Sequence, residues 1–172
     1  NTAIFQTWLD GYEVDENGSV VGYGTGPFAE QTIVFGGKQS MPFAYDNTGN
    51  ATYSEAEREF DKSQDWTQYG IQTLSLHFLG NPANTGAGQL YVKINGAKIR
   101  YGGAAADLTI AAWMPWTIDL ASVGVNLKKV TTLAIGVDGS GSSGSLFIDE
   151  VRLYPGVGAT VAFRLARNSC CS

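Results

Sequence analysis

Ser145-Leu146-Phe147-Ile148-Asp149-Glu150-Val151-Arg152-Leu153-Tyr154 is a run rich in strand-forming residues. The glycine–serine loop 138–144 precedes it, and Pro155-Gly156 ends it. A β-strand bounded by turn signals at both ends is the reading. Position parity places Phe147, Asp149, Val151 and Leu153 on one face. Phe147, Val151 and Leu153 then belong to a core, and Asp149 is an inward carboxylate. Such a group is costly unless a cation or hydrogen-bond donors satisfy it. Oxygen-rich loops favour calcium as the cation. A capped or arginine-paired aspartate near a strand end accounts for the same residue.

Working backwards, residues 130–137 bury Leu133, Ile135 and Val137, and residues 116–120 turn Trp116, Ile118 and Leu120 inward. Residues 89–101 form a hairpin about Asn95-Gly96, a dipeptide that supplies the positive φ angles of a type I′ turn. Leu90, Val92 and Ile94 face the core, while Tyr91 and Lys93 face outward with Lys98 and Arg100. In residues 71–79, Leu74, Leu76 and Phe78 point inward, and Ser75 and His77 point outward. Residues 51–60 alternate: Ser54, Ala56, Arg58 and Phe60 share one face, and Glu55, Glu57 and Glu59 the other. Shorter strands are expected at 39–46 and at Thr32-Ile33-Val34-Phe35, after a turn-rich loop over residues 1–30. Eight or nine short strands with no convincing helix give an all-β fold, a jelly-roll β-sandwich of two antiparallel sheets.

The length of 172 residues suits one domain, placed at 1–154. Residues 155–172 form a tail in which Val161, Phe163 and Leu165 repeat a strand pattern. The net charge of −5 and the lack of a basic run exclude the positive patch that nucleic-acid binding needs. No apolar stretch approaches a membrane span. The only cysteines, Cys170 and Cys171, are adjacent at the C-terminus, consistent with an intermolecular disulfide or a terminal remnant.

Glu55, Glu57 and Glu59 are the one acidic constellation with enzymatic character. Alternate strand positions lie roughly 6.5–7 Å apart, and paired carboxylates hydrolyse glycosidic bonds, with Glu55 and Glu59 as the pair. A solvated outer face, or an edge strand charged against aggregation, produces the same pattern. His77 is the single histidine, so a multi-histidine zinc site is excluded, and no GxSxG elbow is present. Among the aromatics, Trp113, Tyr101 and Trp66 are the candidate rings for stacking on sugar faces, although each ring taken singly belongs more often to a core than to a ligand platform.

The run Gly37-Lys38-Gln39-Ser40-Met41, the pair Asp65-Trp66, the stretch from Trp113 to Leu120, and Leu146 to Val151 resemble the galactose-binding-like jelly-roll superfamily. That superfamily contains carbohydrate-binding modules and domains of large bacterial surface proteins. The resemblance spans roughly residues 30–154. It implies a secreted or cell-surface, non-catalytic module whose partner is a polysaccharide. It also implies a structural calcium ion held by Asp149 and the carbonyl of Lys38. The N-terminal acidic ligand of the family pattern has no match before Asp10. A self-assembling subunit of an extracellular fibre or surface layer, a homopolymer joined through the C-terminal strand, is the alternative. A tail strand pairing at its own sheet edge is the simpler placement.

Overall fold

A computed structural model describes residues 3–156 and 163–164. Among these residues ten strands build two antiparallel sheets. The first sheet has the order β1 (Ser19–Val21), β2 (Met41–Asp46), β9 (Ser143–Pro155), β4 (Ile71–Leu79) and β7 (Trp113–Asp119). The second has the order β3 (Tyr53–Gln64), β8 (Val130–Asp138), β5 (Gln89–Ile94) and β6 (Ala97–Arg100). Hence β1 and β7 are the edge strands of the first sheet and β3 and β6 those of the second, and β7 carries Pro115. This is the expected jelly-roll sandwich.

The core lies between the sheets because the period-2 pattern of each strand sends one face inward. Leu74, Leu76 and Phe78 of β4 are completely buried, as are Val92 and Ile94 of β5 and Ile135 and Val137 of β8. Each large side chain of this kind contributes about 1.5–3 kcal/mol through removal from water. The hairpin turn forms as expected, with Asn95 at φ 48° and Gly96 at φ 82°.

Four elements depart from the sequence reading. Residues 32–35 are not a strand; they belong to the connection between β1 and β2, tied to it by the bridge of Glu30 to Ser40. The short strand β1 lies inside the turn-rich region and pairs with β2. A one-turn helix, α1 (Ile4–Thr7), buries Ile4. The fourth departure is in β9, whose facing changes along its length. Leu146 and Ile148 enter the core before Asp149, and Val151 and Leu153 after it. His77 of β4 stands opposite Asp149, yet Ser75 stands opposite Arg152. One extra residue is thus inserted on β9, and Glu150 takes φ 53° to accommodate it. Consequently Phe147 lies on the outer face rather than in the core, and Asp149 shares that face.

Of the tail, Phe163–Arg164 (β10) pairs antiparallel with β9 of the same chain, opposite Leu153 and Arg152. The rest of the tail, with Cys170 and Cys171, lies outside the described residues. Among the described residues no helix is long and apolar enough to cross a membrane.

Candidate functional site

Polypeptide before β2 builds a groove against the β1 edge. Phe5 comes from α1, Asp10 and Tyr12 from the following turn, Val20 and Val21 from β1, and Tyr23 and Phe28 from the connection beyond it; together they line a volume of about 450 Å3. Val21 points to the core and leaves Val20 on the groove side. Tyr12 is 69% exposed, and Phe5, Tyr23 and Phe28 each remain about two-fifths exposed. Phe5 and Phe28 meet edge to face, with centroids 5.2 Å apart at 84°. Asp10 shapes the floor: its carboxylate accepts the backbone N–H of Tyr12 at 3.2 Å and that of Val21 at 2.6 Å.

Glu30 fixes the Tyr23 wall. Its carboxylate accepts the Tyr23 hydroxyl and the backbone N–H groups of Thr32 (2.5 Å) and Ile33 (3.1 Å). The Tyr23 hydrogen bond, followed by the backbone donors, holds Glu30 at a pKa of about 2. Burial first, then the Glu30 carboxylate, push the Tyr23 phenol up to about 12. Exposed apolar rings with fixed orientation and a few polar groups at the margin can stack on the apolar faces of sugar rings.

A second aromatic patch covers the outer face of the β1–β7 sheet. Phe35 stacks on His77 with centroids 3.7 Å apart and planes 14° apart, and meets Trp113 edge-on at 5.9 Å. The backbone beneath Phe35 is latched by Asp149, whose Oδ2 accepts the N–H of Phe35 at 2.8 Å and of Gly36 at 3.0 Å. Its Oδ1 accepts the N–H of Glu150 at 2.7 Å. Burial lowers the pKa of His77, and Glu150 and Asp149 oppose that effect.

The outer face of the β3–β6 sheet is charged and internally paired. Lys93 binds Glu55 at 2.7 Å, and Lys98 and Arg100 converge on Asp138 at 2.9 and 3.3 Å. Tyr91 lies flat in this network over Gly136, where a Cβ would come within 2.5 Å of the ring, with the Lys98 ammonium 3.9 Å above its centroid. Glu57 has its pKa raised by burial and then by repulsion from Glu55 and Glu59.

The residues expected from sequence are not brought together. Trp66 is 1% exposed, its Nε1–H donating to Gln64 at 3.0 Å and its ring edge-on to Phe60, so it cannot stack on a ligand. Tyr101 is half-buried against Phe78 and Trp116, with its hydroxyl on Asp107 at 2.9 Å. Trp113 alone of the three stands in a surface patch. The inward placement of Asp149 is corrected by the β9 bulge, which turns it outward onto N–H donors. Both of its oxygens accept backbone N–H groups, so hydrogen-bond donors satisfy the carboxylate. Lys38 is exposed in the loop before β2. Among the described residues no group of three or more His, Cys, Asp or Glu side chains could hold a metal ion. A turn-rich loop over residues 1–30, the sequence expectation, does not disclose the groove. The available signal was the density of Phe5, Tyr12, Tyr23 and Phe28 in a glycine-rich stretch.

No protein-family model matches the chain, and no curated protein matches its sequence. Solved structures match its shape. A family 11 carbohydrate-binding module from Clostridium thermocellum, in complex with a β-1,3-1,4-mixed-linked tetrasaccharide, aligns with a TM-score of 0.51 at 15% identity, covering 87% of this chain and 95% of that one. A family 30 module of the cellulosomal cellulase Cel9D-Cel44B of the same organism aligns with a TM-score of 0.52 at 14% identity, covering 83% and 92%. An exo-β-agarase aligns with a TM-score of 0.54 at 12% identity, covering 71% of this chain and only 21% of the enzyme. At these identities the likeness is one of fold: the chain has the β-sandwich architecture of carbohydrate-binding modules.

Proposed function

We propose that this domain is a non-catalytic extracellular carbohydrate-binding module that takes a polysaccharide in the groove of Phe5, Tyr12, Tyr23 and Phe28. The observation that carries the reading is the groove itself. Four partly exposed rings converge on about 450 Å3, and the polar groups that shape it are fixed by hydrogen bonds within the protein. Such a site is preorganised, so little conformational freedom is lost when a sugar chain docks. The shared fold supports the reading. The ion pairing of Glu55 with Lys93 favours a structural role for that carboxylate over a catalytic one. Trp113 with Phe35 forms a lesser patch, with more of its ring surface committed to neighbours.

Affinity electrophoresis through gels containing soluble polysaccharides tests the proposal. Retardation by at least one polymer is expected. Tyr12→Ala and Tyr23→Ala should each weaken it about tenfold, equivalent to ~1.4 kcal/mol. If both folded variants are retarded as the parent is, while Trp113→Ala is not, the groove is the wrong surface.

A further inference from the structure

The charge of the chain is distributed unevenly, and the unevenness falls on the groove. Residues 1–37 contain Asp10, Glu13, Asp15, Glu16 and Glu30 and no Lys, Arg or His. All eleven Lys and Arg residues lie from Lys38 onward, together with the remaining eleven acidic residues. The formal net charge of −5 therefore belongs entirely to the segment that builds the groove. Asp10 lines it, Glu30 holds its Tyr23 wall, and Glu13, Asp15 and Glu16 are exposed in the turn that presents Tyr12. No cation lines it. The cations Lys93, Lys98 and Arg100 sit on the other sheet, bound to Glu55 and Asp138.

We propose that the groove selects uncharged glycans and rejects sulfated or uronic-acid polymers. The proposal rests on the carbohydrate-binding reading above and names its ligand class. A sulfate or carboxylate placed against Tyr12 or Tyr23 would approach like charges with no counter-charge among the lining groups. Like charges juxtaposed at an interface are strongly unfavourable and discriminate between ligands. Stacking of a neutral ring on the same aromatics involves no such repulsion. Exposed charges act over about 8 Å at physiological ionic strength, so carboxylates beside the groove contribute along with Asp10.

The test uses polymers that share a backbone and differ in charge: hydroxyethyl-cellulose against carboxymethyl-cellulose, and agarose against chemically sulfated agarose. Retardation is measured at low and at high NaCl. The uncharged member of a recognised pair should bind at least about tenfold more tightly at low salt. That gap should narrow with added salt through loss of the repulsion, while the uncharged polymer responds little. In the folded charge-reversal variant Asp15→Lys/Glu16→Lys, the low-salt gap should shrink at least threefold with binding of the uncharged polymer unchanged. Equal or tighter binding of the acidic member, or a gap that the double variant leaves intact, overturns the charge selectivity and leaves the module reading standing. Silence of folded protein toward every polymer, charged and uncharged, removes the module reading and this proposal with it.

Discussion

Asp149→Ala removes a side chain that ties the connection between β1 and β2 to the sheet face. The carboxylate accepts N–H groups at 2.8, 3.0 and 2.7 Å, two of them from Phe35 and Gly36, more than a hundred residues away in sequence. A hydrogen bond to a charged group contributes about 1.5–3 kcal/mol to stability. The three are not additive, because they share one carboxylate and the exposed backbone at Phe35 can be rehydrated. A loss of ~3 kcal/mol is therefore expected, equivalent to ~6–12 °C in Tm for a domain of this size. Asp149→Asn keeps one acceptor oxygen and should lose about half as much. Thermal melting followed by far-ultraviolet circular dichroism gives the size of the effect, and amide hydrogen exchange at residues 35 and 36 gives its place. Both melts should be repeated with a chelator, which should shift neither protein. A Tm change below about 2 °C with unchanged exchange would refute the latch. A chelator-sensitive parent beside an insensitive variant would put a cation in its place.

Further outcomes follow from the same geometry. Phe78→Ala, at a fully buried position, should cost about 3–5 kcal/mol in urea unfolding. Trp66→Ala should lower stability by a similar amount and leave polysaccharide affinity per folded molecule unaltered. Glu30, with its folded pKa held near 2 against an ordinary 4.5, contributes stability that is full above about pH 4.5 and is lost as pH falls through about 2. Glu30→Gln should remove that part of the acid dependence in Tm measured across this window. It should also bring the Tyr23 phenol down from about 12, read as tyrosinate absorbance in an alkaline titration. Prolonged incubation with the bound polysaccharide should release no reducing ends; release that Glu59→Gln abolishes would revive the glycoside-hydrolysis alternative.

Strand identity was legible wherever one face is dry and the other wet. The segment 71–79 emerged at its full length because Leu74, Leu76 and Phe78 alternate with Ser75 and His77. The Asn95-Gly96 turn fixed its own register. Parity failed in β9, since a single inserted residue at Glu150 reverses every facing across it, and a bulge leaves no mark in an alternating pattern. Proximity to a turn says nothing about burial, so the sequence leaves Trp66 open between core and surface; Phe60 and Gln64 from β3 enclose it. The groove was hidden for a different reason. Its walls come from α1, a turn, β1 and the connection beyond it, and no periodicity links Phe5 to Tyr23. What the sequence does carry is its electrostatics: the segregation of charge before and after Lys38 is visible without coordinates.

Two of the four sheet edges, those at β6 and β7, have a bearing on solution behaviour. An unpaired strand offers a row of donors and acceptors on which another chain can template. At β6 that row is guarded by Lys98 and Arg100, both within reach of Asp138, so an incoming strand meets fixed charge. At β7, Pro115 has no N–H to offer and interrupts the ladder. Neighbours packed in dense arrays, or joined in tandem, would not fuse sheet to sheet through these two edges.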